Sequence, residues 1–252
     1  MGRPMLARPL HLAVGLVAWL LSVGSMAYFA GFLAGLLVPK DIDSGAAGPP
    51  AAALAVDLAL LLSFALVHSL LARDGAKVWM VRRVPAALER SAYSALAGLQ
   101  MIALCALWRP LPEPVWQVAA PGGQLALLAL AGCGWLIVLA ALWTVGDAHL
   151  FGLAQAWASA RDRPYHPRPL EARGIYRAIR HPLYSGTLLA LWAAPTMSRG
   201  HLLLAVVFTL YLAIGYRFEE RDLARRHGAP YLAYREAVPA FFPRLGRTRR
   251  LR

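Results

Sequence analysis

Read from its amino terminus, the chain alternates long uncharged runs with short charged ones. Residues 10–38 contain no Asp, Glu, Lys or Arg. That is far longer than the roughly 7–15-residue apolar core of a signal peptide, so it predicts a first membrane-spanning helix. A second run covers about 51–72, broken only by Asp57 and His68; a third covers about 91–108 and a fourth about 123–145. Each is close to the ~20 residues needed to cross the hydrocarbon of a bilayer. The last apolar stretch is less regular. Residues 183–197 are apolar but short, Ser198-Arg199-Gly200 interrupts them, and 201–216 is apolar again. This reads either as one broken span or as two short ones.

Loop charge arbitrates. The 39–50 loop sets Lys40 against Asp41 and Asp43, and the 109–122 loop sets Arg109 against Glu113. The 73–90 loop carries Arg73, Lys77, Arg82, Arg83 and Arg90, and the 146–181 segment carries Arg161, Arg163, Arg168, Arg173, Arg177 and Arg180. Cytoplasmic loops collect Lys and Arg. The alternation therefore puts the N-terminus, with Arg3 and Arg8, and both basic loops inside. The Arg-rich segment 217–252 belongs inside too, which requires an even number of crossings after residue 181 and favours a helical hairpin turning near Pro195–Gly200. The expectation is an all-α, polytopic integral membrane helical bundle of five to six spans in a single domain. A cytoplasmic cap comes from about 146–182 and 217–243, with an amphipathic C-terminal helix and both termini on the cytoplasmic side of a bacterial inner membrane.

Composition agrees with this reading. Of 252 residues, 59% are hydrophobic and 15% charged, against ~25% charged in ordinary soluble domains. The net charge of +13 lies between apolar runs rather than on a soluble face, so it is assigned to topology and not to nucleic-acid binding. Cys105 and Cys133 both fall inside apolar runs, and no CxxC or HExxH pattern occurs. Neither a disulfide nor a metal site is expected.

Three pieces near the cytoplasmic side carry candidate chemistry. In RHPLYSG (180–186), Pro182 suits the first position of a helix and biases His181 towards an extended backbone. The free N–H groups of that helix start form a positive pole where anions bind. Arg180 and His181 read equally as interface anchors, and Gly186 leaves room for another backbone or for a ligand. In YRFEERDL (216–223), Glu219 and Glu220 follow directly on an apolar run. Such carboxylates need a partner or a ligand: Arg217 or Arg221, or a cation or hydroxyl groups. In HGAPYLAYREAVPAFFP (227–243), Tyr231 and Tyr234 share a helix face, and Pro239 stops the helix; the arginines after Pro243 suit an anionic leaflet. His68, inside the second run, reads either as a functional group or as a satisfied bundle histidine.

With these spacings, the C-terminal half resembles the membrane methyltransferases related to isoprenylcysteine carboxyl methyltransferase. Upstream segments narrow the resemblance: GFLAGLLVPKDIDSG (31–45), VHSLLAR (67–73), VPAALERSAY (84–93), WRPLP (108–112), FGLAQAW (151–157) and APTMSRGHLLLA (194–205). Together they are similar to methanethiol S-methyltransferases, in the branch that also contains NnrU-like proteins. The stretch before FGL departs from the family pattern, Asn-His-Phe-Asp, and reads Gly146, Asp147, Ala148, His149; a His and an acid are both present, in swapped order.

The resemblance implies methyl transfer from S-adenosylmethionine to a small volatile thiol, leaving S-adenosylhomocysteine. His181, Pro182, Tyr184, Gly186, Glu219 or Glu220, Tyr231 and Tyr234 would then contact the cofactor, and Arg180, His181 and Tyr184 would act at the reacting centre. His68 and His149, with Asp147 beside the latter, are the candidates for deprotonating the thiol. Competing readings are a methyltransferase acting on prenylcysteine or lipid, a non-catalytic NnrU-like protein, and a sterol-type reductase, for which no dinucleotide motif is present. Oligomeric state is not legible.

Overall fold

The structure is a computed structural model that describes residues 7–46, 48–169 and 171–244. Along the chain run α1 (Ala7–Ala34), α2 (Pro50–Leu71), α3 (Asp74–Val81), a 3-10 turn (Ala86–Leu88), α4 (Glu89–Leu107), β1 (Pro114–Gln117), α5 (Pro121–Val145), α6 (Asp147–Leu150) and α7 (Leu153–Ala160). A second 3-10 turn (Gly174–Arg177) then leads to α8 (Pro182–Trp192), β2 (Thr196–Ser198), α9 (Arg199–His227) and α10 (Ala229–Ala237). Five of the described helical segments are long and apolar enough to cross a membrane: Pro9–Ala34, Pro50–Leu71, Ala86–Leu107, Pro121–Val145 and Arg199–His227. The protein is an integral membrane protein of helical class.

The residues group into two compact units, one drawn from 1–112 and 146–167, the other from 113–145 and 168–252. In the first, α1 packs on α4 and α7, and α2 packs on α4. Beside large apolar side chains such as Phe32, Leu61, Leu104 and Trp108, the polar Ser22, Ser25, Ser91 and Ser94 are buried, whereas Leu16, Val17, Leu20, Leu62 and Leu66 are exposed. Buried serines with exposed leucines suit a lipid solvent, where small residues let helices pack closely. α1 stops at Ala34, short of the expected 38, although the run stays apolar. Gly35 takes a left-handed φ of 65°, the usual helix stop, and Leu36 N–H bonds back to Gly31 O.

In the second unit, α5 packs along α8, and α9 packs on α8 and α10. Gly134 and Gly186 set how close α5 and α8 come. A Cβ on Gly134 would lie 2.6 Å from Gly186 O, and one on Gly186 would lie 2.5 Å from Gly134 O. The space that Gly186 leaves is therefore filled by backbone and not by a ligand.

The C-terminal hairpin differs from two matched spans. α8 has 11 residues, a rise of about 16 Å at 1.5 Å per residue, roughly half the ~30 Å hydrocarbon. The chain continues extended through β2, which pairs antiparallel with β1, and turns into α9, which runs unbroken to His227. A helix that ends at this depth exposes carbonyls to a medium without water. Leu191 O and two carbonyls just beyond the helix, those of Ala194 and Pro195, have donors. His201 Nε2–H donates to Leu191 O at 2.9 Å, Trp116 Nε1–H donates to Ala194 O at 3.1 Å, and Val118 N–H donates to Pro195 O at 2.9 Å. Ser198 caps α9 by accepting from His201 N–H.

His201 is buried, so His201→Leu strands the Leu191 carbonyl and should lower unfolding stability by about 1–3 kcal/mol. His201→Gln, which keeps a donor, should recover part of it. Thermal unfolding of the purified protein in detergent reads both.

Candidate functional site

The site grows from the place where α9 leaves the membrane. A helix entering at Arg199 rises ~30 Å in about 20 residues, which brings Glu219 and Glu220 to the opposite interface. Adjacent residues on a helix point about 100° apart, and the two carboxylates meet different surroundings.

Glu220 is buried, and its Oε1 accepts three hydrogen bonds: from Arg180 Nε at 3.0 Å, from His181 Nε2 at 2.8 Å and from the Tyr231 hydroxyl at 2.8 Å. These donors come from the segment before α8 and from α10, so one oxygen ties three segments together. Arg180 Nη1 also donates to Arg235 O at 2.9 Å and to Val238 O, the carbonyls at the end of α10. The strap after α10 lies over the start of α8. Arg180 N–H donates to Pro239 O at 2.9 Å, His181 N–H to Ala240 O at 3.0 Å, and Ser185 Oγ to Phe241 O at 2.8 Å.

Glu219 faces outward, its side chain 45% exposed. Its Oε2 accepts the Tyr184 hydroxyl at 2.7 Å and lies 3.6 Å from His181 Nδ1. The His181 ring is held between Tyr184, stacked at 5.4 Å, and Tyr216, edge-on at 5.1 Å. Burial opposes a charged imidazole here, but hydrogen bonds and charge from Glu219 and then Glu220 outweigh it, so the His181 pKa lies above its ordinary value.

Beside this cluster the second unit contains a cavity of 410 Å³, lined by Thr144, Arg168, Glu171, Arg173, Tyr176 and His227 among others. Arg168 donates to Val145 O at 3.1 Å, at the end of α5, and Arg173 pairs with Glu171. Tyr176 joins the cavity to the cluster: its carbonyl accepts the Tyr234 hydroxyl at 2.7 Å. Burial and then the Glu219 charge push its phenol pKa up.

Several expected contacts have other work. Pro182 is fully buried and Gly186 packs on Gly134. Tyr231, 1% exposed, spends its hydroxyl on Glu220. Burial raises the Tyr234 pKa to about 12, and burial with the Glu220 hydrogen bond raises that of Tyr231, so both are neutral donors at working pH. Arg180 is a buried hub rather than an open anion site. Cavity residues Thr144, Glu171 and Tyr176 were not among the expected site residues, because GIY at 174–176 lies in a 3-10 turn without periodicity to mark it. The basic residues beyond Arg244 lie outside the described residues.

The remaining candidates belong to the first unit. His68 Nε2 lies 2.8 Å from the Tyr93 hydroxyl and stacks on Phe64 at 5.4 Å. Arg90 lies over the Tyr93 ring at 5.1 Å and donates to Leu150 O at 2.7 Å. Asp147 accepts Trp19 Nε1–H at 3.0 Å and Ala148 N–H at 2.8 Å, fastening α6 to α1. His149 Nδ1 lies 3.2 Å from the Tyr165 hydroxyl. Asp57, towards the other end of α2, accepts Arg109 N–H at 2.8 Å.

The raised pKa of His181 sets a pH dependence. Its stabilising contribution is complete below the ordinary histidine value of ~6.5 and is lost as pH rises through the folded-state value. The melting temperature of the wild type should exceed that of His181→Gln most at about pH 6, and the gap should narrow towards about pH 9. A gap independent of pH would contradict the assignment.

Relatives of this chain have been named. A methanethiol S-methyltransferase of Mycobacterium tuberculosis is 38% identical over 236 residues, covering 94% of this chain and 97% of the relative. Methanethiol S-methyltransferase 2 of Bradyrhizobium diazoefficiens is 39% identical over 246 residues, 98% of this chain and 95% of the relative. Nurim of Xenopus laevis is 30% identical over 234 residues, 84% of this chain and 81% of the relative. No family model and no solved structure matches the chain. On identity sustained over nearly the whole length of both sequences, the chain belongs to the methanethiol S-methyltransferase family.

Proposed function

We propose that this protein transfers a methyl group from S-adenosylmethionine to the sulfur of methanethiol, giving dimethyl sulfide and S-adenosylhomocysteine, with hydrogen sulfide as a second acceptor. The observation that carries the reading is the near-full-length match to relatives named for methanethiol S-methylation. The basic loops 73–90 and 146–181 are taken to lie on the cytoplasmic side.

The residues of the second unit fit the donor. Its ammonium and ribose hydroxyls need an accessible acceptor, and Glu219 is half exposed and held by the Tyr184 hydroxyl. Its carboxylate needs a cation, and Arg168 and Arg173 line the adjoining cavity. The aromatic faces of Tyr184 and Tyr176 suit a sulfonium. When bound, S-adenosylmethionine supplies a methyl group activated by positive sulfur. The chain's own part is to grip and orient. Glu220 locks Arg180, His181 and Tyr231 so that Glu219 and Tyr184 stand in fixed positions, because a site a fraction of an ångström too loose loses alignment. The thiol must react as its thiolate; His68 and His149 are the candidates for taking its proton.

The division between the two acids makes the reading testable. Glu219→Gln should leave thermal stability within about 1 kcal/mol and lower dimethyl sulfide formation at limiting donor by roughly tenfold to a hundredfold. Glu220→Gln should instead destabilise the protein by about 3–5 kcal/mol, because it leaves Arg180 buried without its counter-charge. The measurement is headspace dimethyl sulfide from purified protein, methanethiol and labelled S-adenosylmethionine, beside a melting curve. Absence of dimethyl sulfide from the wild type would sink the reading. Turnover against pH in His68→Gln and His149→Gln identifies the base; an unchanged profile in both removes both.

A further inference from the structure

One end of the first unit, where the candidate base His68 lies, also collects features that methyl transfer does not use. Hydrogen bonds bring the start of α1, the end of α2 and the start of α4 together with α6 and α7 there: His11 Nδ1 to Ser159 Oγ at 2.9 Å, His68 to Tyr93 at 2.8 Å, Arg90 to Leu150 O at 2.7 Å. Two short helices flank that end, α3 and α7, of eight residues each. Each presents a tryptophan to the outside, Trp79 at 51% and Trp157 at 46% exposure. Each tryptophan carries an arginine on its face: Arg83 stands 3.9 Å from the Trp79 ring centre, and Arg161 stands 4.3 Å from that of Trp157. Val78 and Val81 are exposed beside Trp79, and Arg82 and Arg163 are exposed nearby. In sequence, 73–83 and 153–163 carry Arg73, Lys77, Arg82, Arg83, Arg161 and Arg163 against two acids, Asp74 and Asp162, and Asp74 pairs with Lys77 at 3.3 Å.

We propose that these two stacked Trp–Arg pairs form a docking surface for the phosphate groups of anionic phospholipids. An indole beside the end of a membrane helix sits at headgroup depth, where its apolar ring and N–H are both accommodated. A guanidinium lying on that ring uses its face for the aromatic contact. Its in-plane N–H groups form the planar fork that matches a phosphate bidentately. Arg83 donates one of these to Trp79 O at 3.2 Å. Exposed valines next to the pair fit the acyl boundary. Excess positive charge selects anionic over zwitterionic headgroups, and the apolar rim selects a bilayer over a soluble anion. A soluble acidic protein or a nucleic acid would meet the cations but gain nothing from lipid-depth Val78, Val81 and the two indoles.

The test uses the full chain in nanodiscs of phosphatidylcholine with and without phosphatidylglycerol, and in detergent titrated with each lipid. The wild type should melt higher with phosphatidylglycerol, should retain that lipid in native mass spectrometry, and should lose both effects as salt is raised. Soluble glycerol phosphate should give no shift. Replacing Arg83 and Arg161 together by Gln should weaken phosphatidylglycerol binding by roughly 25-fold, about fivefold per cation at an anionic surface, with melting in phosphatidylcholine unchanged. Replacing both by Lys should restore part of it, since charge returns without the planar fork. An equal phosphatidylglycerol effect in the wild type and the Gln double variant would overturn the proposal. So would a wild type indifferent to headgroup charge, or a shift of equal size with glycerol phosphate; the wild-type arms decide even if the double variant does not fold.

Discussion

The second unit turns on one carboxylate oxygen. A buried carboxylate where a helix leaves the membrane is tolerable only if fully partnered, and Glu220 Oε1 meets that demand with Arg180, His181 and Tyr231 at once. Much else follows from where those donors must stand. To reach Glu220, Arg180 is drawn into the interior, and its Nη1 then meets the open carbonyls of Arg235 and Val238 at the end of α10. The strap behind α10 falls across the start of α8 and saturates the N–H groups of Arg180 and His181. Glu219, one residue earlier and about 100° round the helix, is left on the open side with Tyr184.

A second constraint acts at the other end of the same unit. α8 is too short to cross the bilayer, and its last carbonyls must be satisfied without water. A histidine from α9 donates to Leu191 O in its last turn, and a tryptophan from β1 and a backbone N–H just beyond β1 donate to Ala194 O and Pro195 O in the stretch that follows. The PTMSRGH segment thus reads as capping machinery: Ser198 starts α9, and His201, three residues on, closes α8. Its distinctiveness in the sequence comes from a backbone problem and needs no ligand to explain it.

The class of fold was legible because lipid forces long apolar runs. The C-terminal hairpin was not, since hydropathy cannot distinguish a helix from an extended segment whose polar groups are covered by a neighbouring strand. RHP and EE were visible as a pair of clusters. Which acid did what was invisible, because the difference is a rotation about α9 and the position of Tyr231, a matter of tertiary packing. Tyr231 and Tyr234 were visible as one helix face, yet they turn inward to Glu220 and to Tyr176 O. Gly186 illustrates the same limit: the sequence marks an absent side chain, and only the neighbouring Gly134 says what fills the space.

The charges of the cluster bear on what it can accept. With His181 protonated, Arg180 and His181 stand against Glu219 and Glu220, two against two. A neutral set of this kind can stay partly buried without drawing in water or a counter-ion. Loss of the His181 proton would leave one negative charge in excess, beside the half-exposed Glu219. An arriving cation would then replace the proton's charge, so a positively charged ligand at Glu219 and the proton on His181 compete through like-charge repulsion. The raised His181 pKa expresses the field of two carboxylates set side by side at the end of α9, and the cation contact proposed for Glu219 would draw on the same field.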